Sequence, residues 1–271
     1  MKRFYSFKGV VGLVLLGAVI LIGVFAPLII APELSTRMFM TARLSPPSFA
    51  HPFGTDQLGR ELFYRVLLGA RTSLEIAVTA VATSVVLGLP LGMVSGYFGG
   101  QIDNVLMRLV DTLLAFPALL LALTISAILG PNIQNTIIAI GVAFTPFLAR
   151  IIRGEALRVA QMPYVEAARA AGTTDLMILI RHILPNIMPP LIVQATISLA
   201  FAILAEAGLS FLGLGTQPPA ASWGLMIQAS RDYLDIAPWT ALVPGLAVAA
   251  TVLGLNMFGD VLRDILDPRA K

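Results

Sequence analysis

From Gly9 to Ala31 the chain carries no charged side chain, and that run restricts what it can fold into more than any other feature. A helix needs about 20 mostly apolar residues to cross the hydrocarbon layer of a bilayer, whereas the apolar core of a signal peptide is only about 7 to 15 residues long. Lys2, Arg3 and Lys8 precede the run as they would in a signal peptide. Its length and the lack of a clear cleavage site favour a retained first span. Predominantly apolar runs recur at about 73–98, 105–130, 133–152, 190–212 and 238–259. Charged residues make up 12% of the chain, about half the share usual in soluble proteins. The expectation is an all-α polytopic membrane protein with six transmembrane helices in a single domain, 1–271, whose core spans occupy 73–262.

An even number of spans places both termini on one side. That side would hold Lys2, Arg3, Lys8, Arg108, Arg150, Arg153, Arg158, Arg169, Arg181, Arg263, Arg269 and Lys271, leaving Arg37, Arg43, Arg60, Arg65, Arg71 and Arg231 opposite. Cytoplasmic loops are enriched in Lys and Arg. The excess therefore puts both termini and residues 153–187 in the cytoplasm, with 32–72 and 213–237 outside. Within the outer segment, residues 54–71 place Leu58, Leu62, Val66 and Gly69 at helical spacing, which predicts an amphipathic helix on the outer interface.

Gly88, Gly92 and Gly96 recur every four residues and line one helix face, so another helix can approach it closely. Pro90 and Pro117 predict kinks. Charges inside a bilayer are costly. Arg71 with Glu75, Arg108 with Asp111 and Asp260 with Arg263 are spaced to pair along one helix face near a membrane boundary. Glu206 has no basic residue within a turn. On the same helix Gln194, Ser198, Ala202 and Ala205 form a small, partly polar stripe, and Asn256 adds an amide in the last span. Gln194, Ser198, Glu206 and Asn256 are the candidate translocation-pathway residues; lining a cavity and bonding helix to helix both remain open for Glu206.

Catalytic signatures are missing. His51 and His182 are the only histidines, there is no cysteine, and neither HExxH nor GxSxG occurs. No metal site and no catalytic residue is expected, nor is nucleic acid expected as a partner. All three lysines lie near the termini and no GxxxxGK[ST] is present, so this chain binds no ATP; if ATP drives it, another chain binds the nucleotide. A carrier coupled to a proton or ion would instead use Glu206, Asp111 or Asp260 as titrating groups.

The stretch EAARAAGTTDLMILIRHILP, 166–185, is the most informative polar segment. Pro163 suits the first position of a helix and Glu166 its first turn, where the helix dipole favours an acid. Gly172 can adopt the left-handed conformation that ends the helix, and Thr173 or Thr174 can cap the next one from Asp175. Leu176, Leu179, Ile180 and Ile183 then give one apolar stripe to rest on the membrane bundle. The first helix, rich in small residues, is free to enter a groove on a partner.

This segment resembles the EAA loop of ABC importer permease subunits, which reads EAA, three residues, Gly, nine residues, Ile, one residue, Leu-Pro. Glu166, Ala167, Ala168, Gly172, Leu184 and Pro185 match that spacing, while His182 stands where Ile is expected. The RH-LPN departure is similar to the dipeptide, oligopeptide and nickel transport branch, as are HPFGTDQLGRELFYRVLLGARTSL, FLGLGTQPPAASWG and the stretch from PWTALVPG to DILDPR. The resemblance implies a type I ABC importer permease fold in a bacterial-type inner membrane. It also implies a homologous permease subunit, two ABC ATPases that hydrolyse the ATP, and an extracytoplasmic substrate-binding protein as partners. Coupling to the ATPases would fall to Tyr164, Glu166, Ala167, Ala168, Arg169, Gly172, Leu184 and Pro185. Peptides or a related small solute, a nickel complex among them, would be the cargo.

Overall fold

The computed structural model describes residues 7–266; the basic terminal residues Lys2, Arg3, Arg269 and Lys271 of the charge argument lie outside them. Nine helices carry the description: α1 Phe7–Ile29, α2 Leu62–Phe98, α3 Gly100–Leu114, α4 Ala118–Leu129, α5 Ile133–Ala160, α6 Pro163–Ala170, α7 Asp175–Phe211, α8 Trp223–Ser230 and α9 Trp239–Leu266. No strand occurs among the described residues. α1, α2, α5, α7 and α9 are each long and apolar enough to cross a membrane. The expected third span is two helices, α3 and α4, bent by 85°. Pro117 cannot donate to the helical ladder and disfavours helical backbone at Phe116 before it, so the chain breaks there and restarts at Ala118.

α2 and α5 form the tightest pair in the bundle. A Cβ added to Gly88 would lie 3.1 Å from the Thr145 carbonyl oxygen, one on Gly92 2.5 Å from that of Ala149, and one on Gly96 2.5 Å from that of Arg153. The glycine face thus meets the backbone of α5, as its spacing predicts. α3 is fastened to the same helix by charge. Arg153 forms a forked pair with Asp103, Nε to Oδ1 at 2.6 Å and Nη2 to Oδ2 at 2.5 Å, and Arg150 pairs with Asp111. Asp111 therefore bonds across to α5 rather than along its own helix to Arg108. A partner on a facing helix satisfies both ions and docks two elements at once.

Residues 54–71 do not form one interfacial helix. The backbone turns through 54–61 and α2 begins only at Leu62. Arg60 and Arg65 are buried. The Asp56 carboxylate accepts from Arg60 Nε at 2.6 Å and from the N–H groups of Leu58 and Arg60, both at 2.9 Å. Arg65 Nη1 donates to the Ser35 carbonyl at 3.0 Å. Two guanidinium groups leave water here because an anion and a carbonyl are already placed for them.

The two larger apolar cores lie at opposite ends of the bundle. One, around Ile76, Ile140, Ile203, Leu209 and Trp223, joins α2, α5, α7 and α8; the other, around Ile152, Val159, Val165, Ile178 and Ile183, lies beneath α6.

Candidate functional site

α6 is delimited as its sequence suggests. Pro163 stands in the first turn and Glu166 follows it. At the other end Gly172 has φ +80°. Thr173 N–H donates to the Ala168 carbonyl at 3.1 Å and Gly172 N–H to that of Arg169 at 3.0 Å. This is the paired-bond ending that a left-handed glycine permits. Val165 is fully buried in the core below, which fixes the roll of the helix. Glu166, Ala167 and Arg169 consequently face outward, with Tyr164 exposed and its ring 6.3 Å from that of His182. Ala168 and Leu184 turn inward against the core, and Pro185 is exposed.

The apolar stripe on the following helix differs from the expectation. Leu179 and Ile183 are buried, but Leu176 and Ile180 are 67% and 54% exposed, and Ile178 and Ile187 take their places in the core. Leu179–Ile183 form a π turn. Its extra residue rotates the side chains out of a 3.6-residue register. Pro185 accounts for it physically, since its ring would crowd the Arg181 carbonyl in an α-helix.

Two residues outside the motif complete the assembly. Tyr97, next to last in α2, donates its hydroxyl to Asp175 Oδ1 at 2.6 Å, and the Arg169 guanidinium carbon lies 5.3 Å from the centre of the Tyr97 ring. Hydrogen bonding to Tyr97 holds Arg169 above its ordinary pKa. One tyrosine thus links α6, α2 and the start of α7. An aromatic ring just before Gly99-Gly100 at the end of a span is the only sequence signal it gives.

The four candidate pathway residues do not converge. Gln194 lines a cavity of about 790 Å³ at the α6 end of the bundle, shared with Glu155, Arg158, Asn186 and Arg263. Ser198 is buried and Asn256 is exposed on α9. Glu206, fully buried, accepts from Ser210 Oγ at 2.8 Å and from Ser73 Oγ at 3.4 Å. Ser73 Oγ in turn accepts from the Trp223 N–H at 3.2 Å, and Ser210 Oγ from the Thr216 N–H at 3.2 Å. The carboxylate therefore ties α2, α7 and the loop before α8 together. Of the two readings left open by the sequence, this geometry matches helix-to-helix bonding.

The fold is a bundle of helices long and apolar enough to cross a membrane, with one short exposed helix seated over the core at one end. Residues 88–271 match the family described as binding-protein-dependent transport system inner membrane component, and the chain belongs to it. It is 44% identical over 262 residues to the dipeptide transport system permease protein DppC of Alkalihalophilus pseudofirmus, covering 97% of this chain and 86% of that protein. It is 42% identical over 277 residues to the di/tripeptide transport system permease protein DppC of Pseudomonas aeruginosa, covering 100% of this chain and 91% of that protein. Among solved structures, an inward facing conformation of the MetNI methionine ABC transporter superposes with a TM-score of 0.62 at 20% identity, covering 76% of this chain and 98% of that one. The fold is accordingly the type I importer permease fold, and the chain is a multi-pass permease component of a bacterial ABC importer, not an enzyme. Membership brings ATPase partners with it and displaces the ion-coupled carrier reading built on Glu206, Asp111 and Asp260.

Proposed function

We propose that this chain forms half of the translocation pathway for peptides or a related small solute, a nickel complex being the variant its branch allows. It pairs with a homologous permease subunit and receives solute from an extracytoplasmic binding protein. The whole chain, 1–271, acts as one permease domain, with 153–187 as the cytoplasmic coupling loop and both termini in the cytoplasm. It binds no cofactor; ATP is hydrolysed by two partner ATPases. The observation that carries the coupling role is the seating of α6. Buried Val165 fixes one face, while Glu166, Ala167 and Arg169 present a low, polar-edged surface that a groove on a partner can enclose. Relatives named for dipeptide and di/tripeptide transport support the choice of solute.

Gly172→Val tests the coupling role. Nothing lies within 4 Å of an added Cβ there, yet φ is +80°. The substitution therefore strains the backbone, by about 1–2 kcal/mol, without a clash. Reconstituted complexes carrying Gly172→Val or Glu166→Lys should insert normally but lose ATP-driven uptake. Wild-type ATPase retention, hydrolysis and uptake in both variants would refute the coupling role. Single cysteines at the exposed residues Ser48, Gln217 and Gln161 test orientation in a chain that has none: the first two should react with an impermeant thiol reagent in intact cells and the third should not.

A further inference from the structure

An open cavity of about 660 Å³ lies between α1, α2, α7 and α9. Its walls are apolar, with Leu16, Ile20, Val78 and Phe258 among them, and Arg71 and Glu75 are the only ionisable residues in its lining. The sequence spacing suggests that these two pair with each other. In the structure no ion pair joins them, and among the described residues neither side chain has another charged partner.

Their depth makes this unusual. The position of a Cβ on Gly23 lies 3.7 Å from Arg71 Cα, and Gly23 is six residues inside the outer end of α1 at Ile29, about 9 Å along the axis. Glu75 is one helical turn further in, about 6 Å. Unpaired charges at that depth are costly against hydrocarbon and belong in a water-filled or ligand-filled space. A lipid headgroup would have to sink through the same distance to reach them.

We propose that this cavity binds a short zwitterionic peptide, with Arg71 taking its carboxylate and Glu75 its ammonium group. The axial separation of about 6 Å suits the ends of a dipeptide, which extended spans up to about 7 Å. Apolar walls surrounding two fixed charges would accept varied side chains while insisting on both termini. The inference rests on the proposed role as a peptide permease and assigns the residues that recognise the cargo within the membrane.

The chain has no cysteine, so Val78→Cys places a single reporter thiol in the cavity of the intact complex in proteoliposomes. Its modification by a water-soluble thiol reagent is read from the mass of this chain. A pool of Ala-Ala, Leu-Gly and Phe-Ala should slow the reaction about five-fold, the factor expected when free ligand stands at about four times its dissociation constant. The same peptides with acetylated N-termini and amidated C-termini should not slow it. Adding Arg71→Gln or Glu75→Gln should remove the protection. A thiol that never reacts would show a lipid-facing groove and overturn the proposal; so would equal protection by capped peptides, or protection that survives both substitutions. The Val78→Cys arm decides even if the charge variants assemble poorly. Import of the same labelled peptides without any protection would refute this site alone, whereas failure to import any peptide would also remove the peptide reading of the transporter.

Discussion

Gly92→Ala is the smallest change that tests the packing of α2 on α5. The added methyl would lie 2.5 Å from the Ala149 carbonyl oxygen, 2.7 Å from Ile152 Cβ and 2.9 Å from Arg153 N, where ordinary contact begins near 3.4 Å. The shortfall against the carbonyl is roughly 0.9 Å by those two distances. Two of the three obstacles are backbone atoms, so no rotamer change relieves it. The helices must part, at a cost of about 1–3 kcal/mol for an overpacked interior. Gly96→Ala, with its Cβ 2.5 Å from the Arg153 carbonyl oxygen and 2.8 Å from Ala156 Cβ, should cost about as much; Gly88→Ala, whose nearest contact is 3.1 Å, should cost less. Gly154 on α5 is the control, since nothing lies within 4 Å of its added Cβ. Gly154→Ala should be neutral or stabilise by up to about 1 kcal/mol through helix propensity. Thermal unfolding of the purified protein in detergent, followed by loss of the monodisperse chromatographic peak, should rank the midpoints Gly154→Ala above Gly88→Ala, above Gly92→Ala and Gly96→Ala. The spread should be several degrees, at about 2–4 °C per kcal/mol for a chain of this size. Equal midpoints for Gly92→Ala and Gly154→Ala would show that the two helices are not in backbone contact.

Tyr97→Phe keeps the ring beside Arg169 but removes the bond to Asp175, a loss of about 1 kcal/mol. We expect complexes that retain their ATPases and hydrolyse ATP yet move less solute per ATP, with Asp175→Asn close to wild type because an acceptor remains; an unchanged ratio of uptake to hydrolysis in Tyr97→Phe would refute the linkage. Glu206→Leu strands the buried hydroxyls of Ser73 and Ser210 and should destabilise by about 1–3 kcal/mol for each donor left unpaired. Glu206→Gln, which still accepts a bond, should unfold nearer the wild-type temperature; if it is as damaging as Leu, the charge and not the hydrogen bonding holds the cluster.

The spans were readable because membrane crossing imposes length and composition directly on consecutive residues, and the Gly88, Gly92, Gly96 face because one helix period exposes it. What escaped depends on residues far apart in the chain. Nothing in the spacing of Arg60 and Arg65 shows that Asp56 and the Ser35 carbonyl meet them. Asp111 has a plausible partner three residues away, yet the observed one is Arg150, on a different helix. The stripe after Gly172 departs from a 3.6-residue period for a local reason, the π turn at Leu179–Ile183. The motif residues of α6 were legible as a set, but Tyr97, 78 positions from Asp175, carries no pattern that would join it to them.

How far a push at α6 travels follows from the same contacts. Val165 sits in one core with Ile152, Ala156 and Val159 of α5 and with Ile178 and Ile183 of α7. α5 is in turn locked to α2 through carbonyl contacts that no side chain cushions. Close-packed interiors shift as bodies instead of deforming smoothly, so displacement of α6 is passed to α5 and α2 together. Tyr97 adds a second link from α6 to α2 at the same level. The salt bridges of Asp103 and Asp111 carry α3 along with this body, but the 85° break before α4 interrupts the helix there. At the far end the buried Glu206 cluster fastens α2 to α7 and to the loop before Trp223. A displacement that begins at α6 therefore has a packed route through α5 and α2 to the Glu206 cluster at the other end of the bundle. The breaks in the helical ladder lie elsewhere, at the α3–α4 bend and at the π turn Leu179–Ile183 within α7.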